Sequence, residues 1–178
     1  MTAPRDTGTG RRAQLARTPG FTDHDFRLAL GMFATGVTIV TARDAAGTRV
    51  GLTANSFNSV SLSPPLVLWS LSQQAGSMPT FVRGSHYAIN ILAADQHALA
   101  LRFASRVVDR FEGVPFHEGT GGAPLLHGAA AVFECFNRSQ YREGDHVIFV
   151  GEVERCHRRD GAQPLIYHDG RYFSELPL

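Results

Sequence analysis

Residues 52–65 read LTANSFNSVSLSPP and hold five hydroxyls and two carboxamides with no charged side chain. Thr53, Asn55, Ser56, Ser59 and Ser61 carry donors and acceptors that a buried strand would leave in want of partners. A solvated loop would normally mix Lys, Glu or Asp among them. The row therefore suits a polar, neutral, planar ligand gripped by hydrogen bonds rather than ion pairs. The same residues also suit ordinary Asx and Ser/Thr turns leading into Pro64-Pro65. On the residues alone both readings stay open.

Other chemistries lack their residues. There is no GxSxG, HExxH or GxGxxG and no paired-carboxylate motif. The eight histidines (24, 86, 97, 117, 127, 146, 157 and 168) are scattered, none spaced i, i+4 beside a carboxylate, so no metal site is expected. Cys135 and Cys156 form no CxxC and sit in alternating apolar segments, which predicts inert, buried thiols and a reducing compartment. All 17 basic residues are Arg. Without Lys there is no Schiff-base catalyst, pyridoxal phosphate anchor or P-loop lysine. A bound cofactor is the remaining source of reactivity, because it brings the reactive atoms and asks the protein for orientation and electrostatics. An isoalloxazine edge, with its alternating acceptors and donor, matches Thr53-Ala54-Asn55-Ser56. Ser59 and Ser61 could hold a phosphate through hydroxyls and main-chain N–H groups.

The chain has 178 residues, 43% of them hydrophobic, and a formal net charge of +1, which suits one well-buried domain. No recurring basic block marks a nucleic-acid footprint or a polybasic membrane patch, and the longest apolar runs, such as VIFVGEV, are strand-sized. Neither nucleic acid nor membrane is an expected partner, and a soluble, cytoplasmic protein is expected. Residues 1–20 are rich in Thr, Gly, Pro and Arg, which predicts a disordered tail ahead of a domain over 21–178.

The elements that must position the polar row follow from periodicity. Thr22 or Asp23 caps a helix over roughly 23–34, carrying Phe26, Leu30 and Phe33. VTIVTA (37–42), a DAAG turn and RVGLTANSF predict a hairpin whose end is the polar row. LVLWSLS and YAINIL predict strands, Ser77-Met-Pro-Thr opens a short helix, and DQHALALRFAS predicts a second full helix behind an Asp95 cap. A Gly-rich linker, EGVPFHEGTGGAPLLHG, precedes a long hairpin in which AAVFECFN rises, RSQYREGD turns and HVIFVGEVERC descends. PLIYH and RYFSEL close around Asp169-Gly170, a tight-turn signal. About seven short strands with two or three flanking helices, and no repeating strand–helix–strand unit, predict a mainly β fold of antiparallel barrel type.

In order, FRLALGMFATGVTIVTA, GLTANSFNSVSLSPPLVLWSL, YAINILAADQHALALRFAS, DRFEG, GAPLLHGAAAVFEC, GDHVIFVGEVE and PLIYHDGRYF closely resemble the short-chain flavin reductases. These are NAD(P)H-dependent partners of two-component flavin monooxygenases, and the resemblance covers about residues 26–175. It implies a split β-barrel of Greek-key type, a homodimer, FMN or FAD near the subunit interface, and NADH or NADPH as hydride donor. It implies that the reduced flavin leaves to serve a partner flavin-dependent monooxygenase. Carried over by position, it sets Thr35, Gly36 and Val37 beside the ring and Thr53, Ala54, Asn55 and Ser56 at its polar edge and ribityl chain. It sets Ser59, Ser61 and Ser77 toward the phosphate, Phe111 at the aromatic place of DRFEG, and Asp145, His146 and Tyr172 toward the nicotinamide dinucleotide. His146 also reads as a strand-start histidine satisfied by a turn, and Phe111 and Tyr172 also read as core aromatics. Relatives place Lys around SQQAGSM where this chain has none, which leaves FMN against FAD open. A flavin carrier, or an oxidase that keeps its flavin, is the alternative within the same fold.

Overall fold

The computed structural model describes residues 19–174. All of the expected tail except Pro19 and Gly20 therefore lies outside the described residues. Helix α1 (Asp23–Gly31) opens on a capping box in which Thr22 Oγ1 accepts the Asp25 N–H while the Asp25 carboxylate accepts from the Thr22 N–H. It stops at Gly31, short of the expected 34, because Met32 already turns back to Ala29.

The chain then makes β1 (Thr35–Gly36), β2 (Thr38–Arg43), β3 (Arg49–Ala54), β4 (Asn58–Leu62) and β5 (Pro65–Ser72). Helix α2 (Met78–Arg83), β6 (His86–Ile91), a 3₁₀ turn at Ala94–Gln96 and helix α3 (His97–Ala104) follow. Asp95 does not cap α3 as expected; the chain enters through the 3₁₀ turn, and buried Gln96 instead accepts from the Ala93 N–H and donates to His127 O. The linker holds a two-stranded ribbon, β7 (Phe116–Glu118) with β8 (Pro124–Leu126), that periodicity did not reveal. Its turn is fixed by Glu134, which accepts from both the N–H and the hydroxyl of Thr120 at 2.6 and 2.7 Å. Burial pushes Glu134 upward, but the Thr120 bonds and the charges of Arg155 and His117 outweigh it and hold the carboxyl below its usual range.

The long hairpin differs from expectation. RSQYREGD is not a turn: β9 (Ala131–Glu143) and β10 (His146–Arg158) run paired along it, and only Gly144-Asp145 reverse the chain. Gly144 adopts a positive φ that other residues resist, which is why the reversal sits there. Last come β11 (Leu165–His168) and β12 (Arg171–Ser174), turned by Asp169-Gly170, both at positive φ, as the sequence predicts.

Seven strands form one antiparallel sheet in the order β3-β2-β6-β9-β10-β5-β4, while β1-β11-β12 and β7-β8 make smaller ones. The class is mainly β, as expected, but the barrel is open: no ladder joins the edge strands β3 and β4. They are consecutive in sequence, linked by Asn55-Ser56-Phe57, so the sheet curls until its two edges come near each other without pairing. Register shifts at Val150/Gly151 and Val153/Arg155 lie in its longest strand pair, where bulges bend a sheet.

One core cluster fills the curl, with Trp69, Phe81, Tyr87, Cys135 and Phe149 among its members, and the Trp69 and Phe149 rings stack at 4.8 Å. Fully burying each such large side chain is worth roughly 1.5–3 kcal/mol. A second cluster, with Val37, Ile39, Phe103, Phe111 and Leu165, lies on the other side of β2 against α3 and β11. Strand β2 is thus covered on both faces, which explains why VTIVTA reads as a continuous β-branched run rather than an alternation. Its polar groups are satisfied: Asn90 Nδ2 donates to Ile39 O and Thr41 Oγ1, and Asn90 Oδ1 accepts from Leu126 N–H. The Cys135 thiol is pushed up to about 12 by burial. Gly151 leaves room for the buried Tyr87 hydroxyl, and a Cβ there would also stand 2.9 Å from that of Cys135. Gly151→Ala is expected to cost about 1–3 kcal/mol by overpacking, read from the shift in a urea unfolding midpoint.

Candidate active site

The site begins at the open edge of β3. At the mouth of the β2–β3 hairpin Asp44 N–H donates to Thr48 O. Counting rungs from there, hydrogen-bonded pairs fall at Ala42–Val50, Val40–Leu52 and Thr38–Ala54. The N–H and C=O of Arg49, Gly51 and Thr53 therefore face away from β2, on an edge that no other strand covers.

Beside the Thr53 rung lies a cleft of about 170 Å³ lined by Val37, Thr53, Ala54, Asn55, Ala104, Tyr167 and Tyr172. It shares Asn55 and Tyr167 with a second cleft of about 400 Å³ against α1, next to Leu30 and Phe33. A third, of about 460 Å³, continues along β3 from Leu52 to Thr48, with Ser77 and Phe111 on its walls. Alone, the first is too small for an ordinary cofactor, but the three follow one another along β3 and Asn55 and together reach the usual range.

The first cleft has apolar and aromatic walls with a neutral polar rim. Tyr167 and Tyr172 face each other across the β11–β12 pair with ring centroids 5.2 Å apart, and His97 lies 4.6 Å from the Tyr172 ring. Burial, with Tyr167 nearby, raises the Tyr172 phenol above its ordinary range, so it stays neutral. Asn55 is exposed at the rim. Thr35 pairs with Tyr167 in the ladder, and its hydroxyl is buried without a hydrogen-bond partner. An open strand rung beside apolar and aromatic walls suits a flat ligand with a polar edge.

The other expected residues divide. Gly36 is exposed beside Thr35, with open space where a side chain would stand. Thr53 Oγ1 donates to Ala100 O at 2.7 Å, tying β3 to α3, so its backbone rather than its hydroxyl is free. Ser56 Oγ donates to Ser70 O at 3.1 Å and accepts from Ser70 N–H at 3.0 Å, a clasp between the seam and β5. Ser61 Oγ accepts from Ser63 N–H at 3.2 Å, an ordinary turn before Pro64. Ser59 lies exposed on β4. Ser77 caps α2 by position but makes no side-chain cap bond and faces the third cleft. Phe111 packs edge-on against Phe103 at 5.0 Å and Phe116 at 5.6 Å, so most of its ring belongs to the core.

His146 and Asp145 stand elsewhere, at the β9–β10 tip. His146 Nδ1 lies 2.7 Å from the Asp145 carboxylate, and the side chains are 45% and 90% exposed. That bond, with the histidine's charge, lowers the Asp145 carboxyl below its usual range. Gln73 fixes the tip to the end of β5 through Asp145 O and Gly144 O, both at 2.9 Å. Within one chain, then, Tyr172 joins the Thr53 cleft and His146 lines none of the three clefts. Sequence reasoning missed Tyr167 and Ala104. A two-residue turn at Asp169-Gly170 sets Tyr167 opposite Tyr172 by register, so the first was available from the turn signal; Ala104 carries no signal of its own.

Two substitutions separate the structural hydroxyls from the unpaired one. Ser56→Ala removes both bonds to Ser70 and is expected to cost about 1–2 kcal/mol. Thr35→Val deletes a hydroxyl that has no partner and is expected to leave the melting temperature equal or higher.

The model of the flavin reductase like domain matches residues 30–175. The chain is 44% identical over 153 residues to FMN reductase (NADH) SmoA of Agrobacterium fabrum, covering 86% of each. It is 36% identical over 166 residues to the flavin-dependent monooxygenase reductase subunit HsaB of Rhodococcus jostii, covering 93% of this chain and 83% of that one. Among solved structures, NADH:FAD oxidoreductase SgcE6 of Streptomyces globisporus C-1027, in complex with NAD and FAD fragments, superposes with a TM-score of 0.82. Identity there is 39%, over 86% of this chain and 93% of that one. With a family match over most of its length and a mainly β fold, this chain belongs to the flavin reductase like family.

Proposed function

We propose that this protein is an NAD(P)H-dependent flavin reductase that takes free FMN or FAD and hands the reduced flavin to a partner flavin-dependent monooxygenase. The observation that carries the reading is the Thr53 cleft: apolar and aromatic walls, an open strand rung, and no acid–base pair among its lining residues. Flavin, when bound, supplies the redox chemistry by accepting hydride from the nicotinamide. The protein's part is to hold two planar partners at near contact, where proximity and orientation account for much of the barrier reduction. Val37, Ala54, Ala104, Tyr167 and Tyr172 would exclude water from the ring, while the Thr53 backbone, Asn55 and Thr35 meet its polar edge. Gly36 would let a ligand approach β1 closely. Ser77 and Ser59 are kept as candidate phosphate contacts, and Asp145–His146 as the dinucleotide's. The names of the relatives, one an FMN reductase using NADH and one the reductase subunit of a monooxygenase, support the same reading.

A homodimer belongs to the proposal. No residue of α1 is buried, and Phe26, Leu28, Leu30, Met32 and Phe33 are each at least half exposed along that segment. Five large apolar side chains in eight residues form a patch of the kind that marks an interface. Because Leu30 and Phe33 line the cleft that shares Asn55 and Tyr167, a second copy seated on α1 would add a wall to the site. A cytoplasmic setting is proposed with it, in keeping with two free cysteines. No described helix is long and apolar enough to cross a membrane.

The activity is tested by following NADH and NADPH oxidation with added FMN, FAD or riboflavin. Oxidation that depends on added flavin is expected; a tightly yellow protein that gives no turnover with free flavin would indicate a carrier instead. In the same assay His146→Ala is expected to raise the KM for the nicotinamide several-fold, and an unchanged KM with unchanged turnover would remove His146 from the site. Light scattering should find a dimer in the wild type and a shift toward monomer in Phe33→Glu.

A further inference from the structure

Three contacts meet at Gly51. Its carbonyl, on the open edge of β3, accepts from Arg110 Nη1 at 2.8 Å. The same guanidinium donates through Nε and Nη2 to Ser105 O at 3.1 and 2.6 Å. Where a Gly51 Cβ would stand, Phe103 and Phe111 approach to 2.7 and 3.1 Å. All of these Arg110 bonds run to backbone carbonyls, so the residue acts as a fork bridging two main-chain segments, a geometry that Lys cannot reproduce.

The bridged segments are the β3 edge and the loop after α3. Between its anchors at Ser105 and Phe111 this loop carries Val107 and Val108, 47% and 107% exposed. Both valines border the 460 Å³ cleft together with Ser77 and the Gly51–Leu52 stretch of β3. Val108, fully exposed on a loop clamped over an open strand edge, packs against neither core cluster of the described residues, and Val107 is half exposed beside it. Both have the place of a groove wall.

We propose that Arg110 is a positioning residue for flavin binding. It pins the Ser105–Asp109 loop to β3 as the outer wall of the flavin groove, and it occupies the Gly51 carbonyl next to the Thr53 rung, which stays open to ligand. The inference rests on the flavin reductase reading and assigns residues to that reading's site.

The test compares wild type with Arg110→Lys, Arg110→Gln and Val107→Ser/Val108→Ser. Flavin dissociation constants are measured from the quenching of FMN and FAD fluorescence without nicotinamide, beside KM, kcat and melting temperature. Arg110→Gln is expected to raise the flavin Kd and KM about tenfold while kcat at saturating flavin stays within about twofold, the pattern of lost binding rather than lost chemistry. Arg110→Lys, able to reach one carbonyl, is expected to fall between. The valine pair, being exposed, is expected to raise Kd several-fold with no change in melting temperature. Should Arg110→Gln fail to fold, the other two variants decide. Unchanged flavin Kd in folded Arg110→Lys and in the valine pair overturns the inference, as does a kcat that falls in step with melting temperature. A wild type that neither quenches flavin nor oxidises NADH overturns the functional reading and the inference with it; an active wild type with unaffected variants overturns the inference alone.

Discussion

A curled sheet that does not close must leave two strand edges without partners. In this chain the edges are β3 and β4, joined by Asn55-Ser56-Phe57. Unpaired backbone groups are costly when buried and invite foreign strands when exposed. The chain answers on one side with Ser56, whose hydroxyl both gives to and takes from Ser70, and on the other with Arg110 on the Gly51 carbonyl. The Thr53 rung stays open between them, and the first cleft lies against it. The seam of the sheet and the candidate site are one feature seen from two directions.

The scaffold behind the seam is rigid for a physical reason. Strand β2 is buried on both faces, and β3 hangs from it by a full ladder, so the edge cannot shift without disturbing both core clusters. Against that rigidity the Thr53 cleft offers neutral contacts, each worth roughly 0.5–1.5 kcal/mol net. A handful of these orients a planar molecule without holding it permanently. Moderate grip suits a ligand that must depart after accepting electrons, and it accounts for a polar row free of Lys, Arg, Asp and Glu.

Much of this was legible in the sequence, and unevenly. The β2–β3 hairpin, β5, β6 and the Asp169-Gly170 turn could be read because β-branched runs and turn residues report on local backbone preference. The β9–β10 turn was misplaced because Arg138, Ser139, Gln140, Tyr141 and Arg142 are polar, and polarity marks solvent as readily as it marks a loop; these residues form the outer half of β9, beyond the reach of β6, and pair with the core strand β10. The β7–β8 ribbon hid in a Gly-rich segment, ordered by a contact to Glu134 that is distant in sequence. Hydroxyl-rich composition pointed to the stretch that borders the Thr53 cleft, yet it could not tell Ser56 and Ser61, spent on structure, from Thr35, left unpaired. That distinction depends on which backbone groups meet in space. The opposition of Tyr167 and Tyr172 followed from turn length, whereas the meeting of Arg110 with Gly51 is a tertiary fact with no local signature.

The two cysteines have unlike surroundings. Cys135 is sealed in the first core cluster, its proton held by burial, whereas Cys156, expected to be buried as well, is exposed near the far end of β10. A maleimide dye or spin label would therefore attach at one sulfur, on the surface and away from the cleft-lining residues. The wild-type chain thus comes with its own single-point handle for following a second subunit or an oxygenase as it docks.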